Sequence, residues 1–406
     1  MSRKQYFKNF TLLVLCGEAI FFLPFVIVRI FRPTVLQAFE INNTELGYAF
    51  SIYGIIALGA YFFGGMIADR FPVKTLISIS LISTGVLGLF MAEMPSYKAF
   101  ILIYALWGIT TLLLFWSPMK KAIRILGGKK HQGGTFGGIE AGRGLTAALL
   151  GSLILLLFVD THTDSSAELM NIVYRYTSIF IIVMGILIAL FLDIDDHVGK
   201  NAKAPITNLR ATLKLRTVWQ QMFFVLAAYV AYKCTDDFSL YAHDVLGFND
   251  QESGIVGTLS LYVRPIAAVS LGLLADRFSV RLMSLIGFGL TFLGSMLFYL
   301  LDFQSLIIPF FLNLMVLSIG IYSLRALYYA IMNEAKIPLS LTGTAVGVVS
   351  FVGYTPDIFM GPIMGYFLDE FPGLTGHQYV FGFCSVFALI GFVNLYFFPK
   401  NHKKAQ

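Results

Sequence analysis

The sequence predicts an all-α membrane protein in which twelve transmembrane helices form two pseudo-symmetric six-helix bundles. Of its 406 residues, 57% are hydrophobic and only 13% are charged, and the mean hydropathy is +0.76. Such a chain lacks the polar surface that a water-soluble domain requires. It contains twelve apolar windows of membrane-spanning length, and a ten-residue pattern recurs in it 207 positions later. These observations indicate a bundle of membrane helices with internal symmetry.

The apolar windows follow one another with short polar connections, and a helix of about 20 apolar residues crosses about 30 Å of hydrocarbon. Their approximate bounds are 9–38, 45–68, 74–93, 98–119, 134–159, 169–192, 217–241, 251–275, 281–301, 304–332, 340–368 and 377–398. Three basic residues precede the first window, but Glu18 interrupts its apolar run and no small-residue cleavage site follows. We therefore expect a retained helix and not a signal peptide.

The basic residues predict the orientation of the chain. If both termini are cytoplasmic, 21 of the 29 Lys and Arg lie on the inside, and only Arg32, Lys98 and Arg175 lie at the outer side. The positive-inside rule favours this topology, which also explains the net charge of +6 without nucleic-acid binding. We expect a multi-pass protein of the plasma (cell inner) membrane. Its predicted parts are an N-terminal bundle at 1–192, a cytoplasmic linker at 193–216 and a C-terminal bundle at 217–406.

The repeated sequence closes one apolar run in each predicted bundle. Its two copies, 207 positions apart, are Gly65-Met-Ile-Ala-Asp69-Arg70-Phe-Pro-Val-Lys74 and Gly272-Leu-Leu-Ala-Asp276-Arg277-Phe-Ser-Val-Arg281. Both contain Ala-Asp-Arg-Phe-x-Val followed by a basic residue. A repeat of this length between hydrophobic segments indicates two structurally equivalent halves, and membrane transporters are commonly built that way.

The repeat resembles the signature motif of the major facilitator superfamily, and the resemblance extends over nearly the whole chain. Pro72 and Ser279 stand where that family usually has Gly. The resemblance implies alternating access, with the Asp of the motif latching the cytoplasmic ends of the second and eleventh helices in the outward-facing state. The gating residues that it implies are Gly65, Asp69, Arg70, Lys74, Gly272, Asp276, Arg277 and Arg281.

Apart from the charges near their ends, ten charged side chains lie deep within the predicted membrane windows. The bases are Arg29, Arg143, Lys233, Arg264 and Arg325, and the acids are Glu18, Glu140, Asp236, Asp237 and Asp357. A charge in hydrocarbon costs at least about 2.5–3.5 kcal/mol, so we expect these side chains to face a cavity or to pair with one another. Helical spacing predicts pairs of Glu140 with Arg143 and of Lys233 with both acids that follow it.

Within the superfamily, short stretches resemble the organophosphate:phosphate antiporters, the glycerol-3-phosphate transporter-like branch. Phe-Val-Ile-Val-Arg29-Ile-Phe resembles the Arg-bearing first helix of that branch, and Tyr229-Val-Ala-Tyr232-Lys233 resembles its seventh helix, with Lys in place of the second substrate-binding arginine. Gly133-Gly134 is followed by Arg143 where the branch has a binding histidine. The resemblance implies that these cations bind a phosphorylated substrate.

Residue chemistry also favours an anion. Arg29 and Lys233 occupy helices that the repeat relates, so we expect them to face each other across the pseudo-two-fold axis. Two cations in a low-dielectric cavity attract an anion, and the planar fork of Arg fits carboxylate or phosphate. The substrate-binding candidates are Arg29, Lys233, Arg143, Tyr232, Glu140 and Arg264. The coupling or ion-pair candidates are Glu18, Asp236, Asp237 and Asp357.

Several roles remain open at this point. Arg264, beside Pro265, either contacts substrate or pairs with one of the acids Asp236, Asp237 and Asp357. For Arg325, a role as a cytoplasmic gate or as the partner of Glu334 is favoured over contact with the substrate. Glu18 is either a proton-coupling carboxylate, whose pKa an apolar cavity would raise, or the partner of a neighbouring cation.

The sequence predicts no enzyme. Its six histidines lie in or beside predicted loops without ligand spacing, Cys16, Cys234 and Cys384 lie in apolar runs as free thiols, and no Walker lysine motif is present. We expect a secondary transporter without cofactor, a monomer in the lipid bilayer that moves a small carboxylated or phosphorylated anion as an antiporter or proton symporter. The alternatives are a transporter of amino acids or other zwitterions, a drug exporter and, in another class, a non-transporting sensor or scaffold.

Overall fold

The computed structural model describes residues 2–128, 132–160, 165–194, 196, 209–333 and 342–398, with the backbone alone at 62, 132–134, 136, 157–160, 276, 332–333 and 342–344. All regular structure in these residues is helical. We call the face that carries residues 2 and 398 the terminal side, and the opposite face the distal side.

The described part of the N-terminal half contains six long helices. They are α1 Arg3–Ile30, α2 Asn43–Arg70, α3 Val73–Ala92, α4 Tyr97–Gly127, α5 Gln132–Asp160 and α6 Ser166–Phe191. A short helix, Arg32–Ala38, follows α1. α1 widens into a π-helical turn at Phe22–Val26, where Pro24 lacks the N–H that a regular helix would use.

The described part of the C-terminal half contains the same number of long helices. They are α7 Arg216–Lys233, α8 Asp250–Arg277, α9 Val280–Leu300, α10 Ile307–Leu327, α11 with the two pieces Thr342–Gly353 and Pro356–Glu370, and α12 Leu374–Tyr396. A 3-10 turn, Cys234–Asp237, and a short helix, Phe238–Asp244, extend α7 to the distal side.

Ten of the described helices are long and apolar enough to cross a membrane, and the bent α2 brings the number to eleven. The exception is α7, in which Gln220, Gln221 and Lys233 are all buried. Polar residues inside a membrane bundle face protein and not lipid. The order of helices agrees with the twelve-helix prediction, and α7 is one that lines the boundary between the halves.

The two halves touch closely on the distal side. A Cβ atom added to Gly47 of α2 would overlap the carbonyl group of Gly361 in α11, and one added to Gly365 would overlap the backbone of Thr44. Small residues let helix backbones approach each other in this way. Since only glycine fits at these crossings, α2 and α11 form a tight seam.

A carboxylate reinforces this seam. Asp369, near the end of α11, accepts hydrogen bonds from the backbone N–H of Asn43 at 3.1 Å and of Thr44 at 2.7 Å. These are among the N–H groups that the first turn of α2 leaves without a helical partner, and the positive end of the helix dipole favours a carboxylate there. One half of the molecule thus caps a helix of the other.

The terminal side is different. Among the described residues, no hydrogen bond or ion pair joins the halves on the terminal side of Tyr61 and Glu140. A Cβ atom on Gly65 or Gly272 would meet open space. Among the described residues, the hydrogen bonds and ion pairs between the halves therefore lie at the distal side and at mid-height.

The signature repeat makes its described contacts within each half. No hydrogen bond or ion pair links Asp69, Arg70 or Lys74 to a described residue of the C-terminal half, and Arg281 donates from Nε to the carbonyl of Leu395 at 3.1 Å. Arg277 lies over the ring of the adjacent phenylalanine, at 5.7 Å. The side chain of Asp276 lies outside the described residues. Among the described residues, no contact of the predicted latch crosses between the halves, and the role of the latch remains a prediction.

Candidate functional site

Buried charges gather between the halves at mid-height and form what we call the interface cluster. Its members are Glu18, Arg29, Glu140, Arg143, Lys233, Asp236, Arg264, Arg325 and Asp357. All except Glu140 and Arg325 are at most 7% exposed as whole residues. The cluster contains nine of the ten intramembrane charges that the sequence singles out.

One carboxylate of the cluster holds a cation from each half. Arg29 of α1 approaches Oδ1 of Asp236 with Nε at 2.7 Å and Nη2 at 2.6 Å, while Nζ of Lys233 lies 3.6 Å from Oδ2. Arg29 also donates from Nη1 to the hydroxyl of Tyr232 at 2.9 Å. Arg29 and Lys233 therefore do converge across the boundary between the halves.

Lys233 is enclosed by groups from both halves. Its Nζ lies 3.3 Å from Oδ1 of Asp357, and it stands over the rings of Phe25 at 4.8 Å and Phe50 at 5.0 Å. The hydroxyl of Tyr229 donates to the same carboxylate at 3.1 Å. The break in α11 places Asp357 in the first turn of its second piece, where the helix dipole stabilises negative charge.

A second group of ion pairs lies closer to the terminal side. Glu18 of α1 is 2.9 Å from Nη1 of Arg264 and 3.2 Å from Nε of Arg143. Arg143 also pairs with Glu140 at 2.6 Å, as the helical spacing predicts. These four side chains join α1 and α5 to α8, and so cross between the halves.

The expected partners of Arg264 are wrong. Its nearest carboxylates belong to Glu18 and, at 3.8 Å, to Glu140, not to the three aspartates considered from the sequence. Gly144 explains the difference, because a Cβ there would lie 3.1 Å from Pro265 and 3.2 Å from Arg264. This close crossing turns Arg264 towards α5.

Asp237 is the intramembrane acid that lies outside the cluster. Its Oδ2 lies 2.8 Å from Nδ1 of His377 in α12, so the predicted pair with Lys233 is wrong. A 3-10 turn has three residues per turn, which rotates adjacent side chains by about 120° and sends Asp236 and Asp237 in different directions. His377, expected in or beside a loop, is fully buried within α12.

Arg325 stands apart from the other cations of the cluster. Its Cζ lies 3.7 Å from the centroid of the Tyr232 ring, and that of Arg29 lies 4.7 Å from the same centroid. Its Nη1 is buried without a hydrogen-bond partner, and no carboxylate of a described residue lies within ion-pair distance. Its expected partner Glu334 is outside the described residues. The sequence already indicates a cation without a local counter-ion, because α10 contains no acid that could pair with Arg325.

The cluster has more cations than anions. Arg29, Arg143, Lys233, Arg264 and Arg325 face the four acids Glu18, Glu140, Asp236 and Asp357, which leaves a formal charge of +1. The side chain of Glu140 is 50% exposed but that of Asp236 only 4%. The cluster is therefore wetter towards the terminal side. It presents a cation without a counter-ion beside aromatic hydroxyls, which is an arrangement that can bind an anion.

Tyrosines surround this part of the cluster. Tyr61 of α2 stacks on Tyr354 of α11 at 5.4 Å, and the hydroxyl of Tyr354 lies 3.0 Å from that of Tyr328. Tyr229 packs edge-on against Tyr354 at 4.9 Å. Rings with one polar atom suit a site that must contact both apolar and polar parts of a small molecule.

These features define a multi-pass helical membrane protein with a charged site between two halves. Residues 14–359 match the family model described as Major Facilitator Superfamily, and the chain belongs to this superfamily. It is a transporter of that class and not an enzyme. It is 28% identical to inner membrane protein YihN of Escherichia coli (strain K12), over 97% of this chain and 95% of that protein. It is 26% identical to inner membrane protein YqcE of the same organism, over 91% and 89%.

Solved structures show the same fold. A bacterial homologue of the human lysosomal transporter Spinster, in an inward-facing and unoccupied conformation, superposes with a TM-score of 0.76 at 16% identity over 98% of each chain. The nucleoside transporter NupG superposes with a TM-score of 0.75 at 15% identity, over 98% of this chain and 99% of that one. At such identities the likeness concerns the fold alone.

Proposed function

We propose that the protein carries a small organic anion, a carboxylated or phosphorylated metabolite, across the plasma (cell inner) membrane by alternating access. The observation that carries this proposal is Arg325, a partly buried cation whose Nη1 is buried and which has no counter-ion among the described residues, in a cluster where the other cations are paired. The names of the two bacterial relatives support the location. The distribution of basic residues supports cytoplasmic termini, so that the terminal side is cytoplasmic.

In this proposal the anion enters from the terminal side and meets Arg325 first. An isolated buried charge is costly, whereas a guanidinium that receives a bidentate carboxylate or phosphate is stabilised. The anion then competes with Asp236 and Asp357 for Arg29 and Lys233. Separating a buried ion pair costs about 3–5 kcal/mol, so only a ligand that supplies equivalent oxygen atoms replaces these carboxylates.

Such an exchange of partners would change the contacts between the halves. Arg29 with Asp236, and Glu18 with Arg264, are ion pairs that cross the boundary. An anion held between Arg29 and Lys233 would replace the Arg29–Asp236 ion pair as a link between the halves. The halves could then rotate about the site. The distal seam would open and the repeated motif would form its latch on the terminal side. Antiport and proton symport are both consistent with this cycle.

A thermal-shift screen of the purified protein tests the proposal. The probes are inorganic phosphate, glycerol 3-phosphate, citrate, glycine and a cationic amphiphile. A ligand of the folded state at 100 times its Kd raises apparent stability by about 2.7 kcal/mol, so we expect stabilisation by phosphate esters or carboxylates. The proposal fails if no anionic probe stabilises the protein.

Arg325→Ala sharpens this test. A hydrogen bond to a charged group contributes about 1.5–3 kcal/mol, so the affinity for the stabilising anion should fall roughly 10- to 150-fold. Arg175→Ala is the matched control, because Arg175 is an exposed cation whose partner is Glu93 at 2.7 Å. Equal affinities in the two variants would remove Arg325 from the site.

A zwitterionic substrate is the second candidate. It is favoured by the carboxylates of Asp236 and Asp357, which hold Lys233 and could hold a substrate ammonium group instead. In that case glycine should stabilise the protein, and Asp357→Asn should abolish the effect. Stabilisation by the amphiphile alone would point to drug export, and a scaffold would respond to none of these probes.

A further inference from the structure

A chain of titratable side chains runs from the distal surface into the C-terminal half, away from the interface cluster. We call it the histidine–aspartate chain, and its members in order are Asp250, His243, Asp244, His377 and Asp237. The side chain of His243 is 43% exposed and that of Asp244 is 32% exposed, whereas those of His377 and Asp237 are fully buried. One end therefore meets water and the other lies inside the protein.

Three of the four links of the chain are within hydrogen-bond distance. His243 Nδ1 lies 2.8 Å from Asp244 Oδ1, and Asp244 Oδ2 lies 3.4 Å from Nε2 of His377. Nδ1 of the same ring lies 2.8 Å from Asp237 Oδ2. His243 Nε2 lies 3.9 Å from Asp250 Oδ1. The two nitrogen atoms of His377 thus connect a carboxylate at the surface with a buried one.

The buried end of the chain is costly for the fold. A carboxyl group and an imidazole are withdrawn from water there, and Oδ1 of Asp237 has no hydrogen-bond partner among the described residues. Apolar side chains would fill the same space without this penalty. A buried carboxylate with a spare oxygen atom, bonded to an imidazole, is suited to take up a proton.

The surroundings of His377 contain few other ionisable groups. The α7 extension contributes Tyr241, whose ring lies 5.2 Å from that of His377, besides Asp237, His243 and Asp244. Cys234 and Cys384 are free buried thiols beside Asp237. Tyr241 packs in turn on Phe298 of α9 and Phe310 of α10, and Asp302 lies near it between those helices. On the side of α11, Asp369 is engaged by α2.

Both ends of the chain reach parts of the molecule that must change during transport. Asp250 accepts a hydrogen bond at 2.9 Å from Thr34 in the N-terminal half, and this contact must break when the distal side opens. Asp237 follows Asp236 directly in the 3-10 turn, and Asp236 is the counter-ion of Arg29 and Lys233. The chain therefore connects the distal seam with the interface cluster.

We propose that Asp237 and His377 form a proton-binding site, filled from the distal surface through His243 and Asp244, and that this site couples protons to the transport cycle. The inference deepens the proposed function, on which it rests, by naming the coupling ion and its binding site. Protonation of Asp237 removes one of two adjacent negative charges, so it favours binding of an anion at the cluster. By linkage, the anion favours binding of the proton.

The proton transfer balances along the chain. Water at the distal surface protonates Nε2 of His243, and the ring passes the proton on Nδ1 to Oδ1 of Asp244. After its carboxyl group rotates, Asp244 protonates Nε2 of His377, and this ring releases the proton on Nδ1 to Asp237. The net result is the movement of one proton from water to Asp237, with His243 and His377 each left in the other tautomer. The hydrogen bond with Asp244 raises the pKa of His243 above its usual value, which suits a group that collects protons at the surface.

The test measures the distal opening as a function of pH. Spin labels on the variant Lys98→Cys, Ser305→Cys would report the distance between the halves, because both positions are exposed at the distal side and the native cysteines are buried. The protein is studied in lipid nanodiscs between pH 5 and pH 9. For each proton that the conformational change binds, we expect the ratio of open to closed conformations to change about tenfold per pH unit. Asp237→Asn and His377→Gln should each abolish this dependence.

Two controls make the result specific. Glu370→Gln removes an exposed carboxyl group on the distal side, and Asp302→Asn removes an exposed carboxyl group near Tyr241. Both should keep the pH dependence of the parent protein. The proposal is overturned if the parent protein shows no pH dependence, or if Asp237→Asn retains it.

A variant at the surface tests the route of the proton. His243 is half-exposed, so His243→Gln should fold normally. After a pH jump, the variant should change conformation at least tenfold more slowly than the parent protein. A fluorophore on Ser305→Cys follows this change, and an unchanged rate would overturn the route. If anions stabilise the parent protein but its distal opening does not depend on pH, the proton site is wrong and the protein is an anion exchanger. If the opening depends on pH but no anion stabilises the protein, the proposed function is wrong and the proton site stands.

Discussion

The distal and terminal sides of the boundary between the halves are built from different kinds of contact. On the distal side, backbone packs on backbone at Gly47 and Gly361, and Asp369 caps α2. On the terminal side, Asp69 of the repeated motif is linked to no described residue of the other half. Among the described residues, the contacts that join the halves are therefore not made by the repeated sequence. We expect the repeated residues to stabilise the opposite conformation, so that substitutions on either side test the difference.

The largest effect should come from breaking the distal seam with Gly47→Val. The new side chain would overlap the Gly361 carbonyl, and overpacking of this kind costs about 1–3 kcal/mol. We expect the distal-open population to rise about 5- to 150-fold, measured with the spin-label pair described above. Gly59→Val is the matched control, since its Cβ would meet open space in the same helix and it lies outside the repeated motif. Equal populations in both variants would contradict the difference between the sides.

A smaller effect should follow from weakening the cap with Asp369→Asn. The amide oxygen can still accept a hydrogen bond, but the charge that favours the helix N-terminus is lost, which is worth about 0.3–1 kcal/mol. We expect the distal-open population to rise about two- to fivefold in the same measurement. Glu370→Gln removes the charge of the neighbouring exposed residue and should change nothing. A shift of equal size in that control would assign the effect to general electrostatics.

The order of the helices could be predicted because apolar windows of membrane length are strong signals. The windows locate helices but not their interruptions. The window 340–368 predicts one helix, whereas α11 breaks between Gly353 and Pro356, because a break of two residues hardly changes hydropathy over a window of this length. That break matters, since it places Asp357 at the start of a helix beside Lys233.

The members of the site could be predicted better than their partners. Buried charges are expensive, so Arg29 and Lys233 stand out in an apolar sequence without any alignment. The partner of Arg264 is Glu18, 246 positions away, and it depends on how α8 packs on α5 at Gly144. The position of Arg325 along α10 favours a cytoplasmic gate or a pair with Glu334. A long side chain can reach across a helix turn, and spacing along the sequence does not reveal where its tip lies.

The smallest effect on this conformation should come from Asp69→Asn, because Asp69 makes no described contact across the halves here. The variant should leave the distal-open population low and the affinity for the stabilising anion unchanged in the thermal-shift assay. Its consequence should lie in turnover, because the conformation that the latch stabilises becomes less accessible. Loss of one partly exposed ion pair, about 0.2–1 kcal/mol, should slow uptake into liposomes by up to about fivefold. Glu93→Gln, which removes an exposed carboxylate paired with Arg175, is the charge-matched control. A turnover of Asp69→Asn equal to that control would show that the repeated motif contributes to neither side of the cycle.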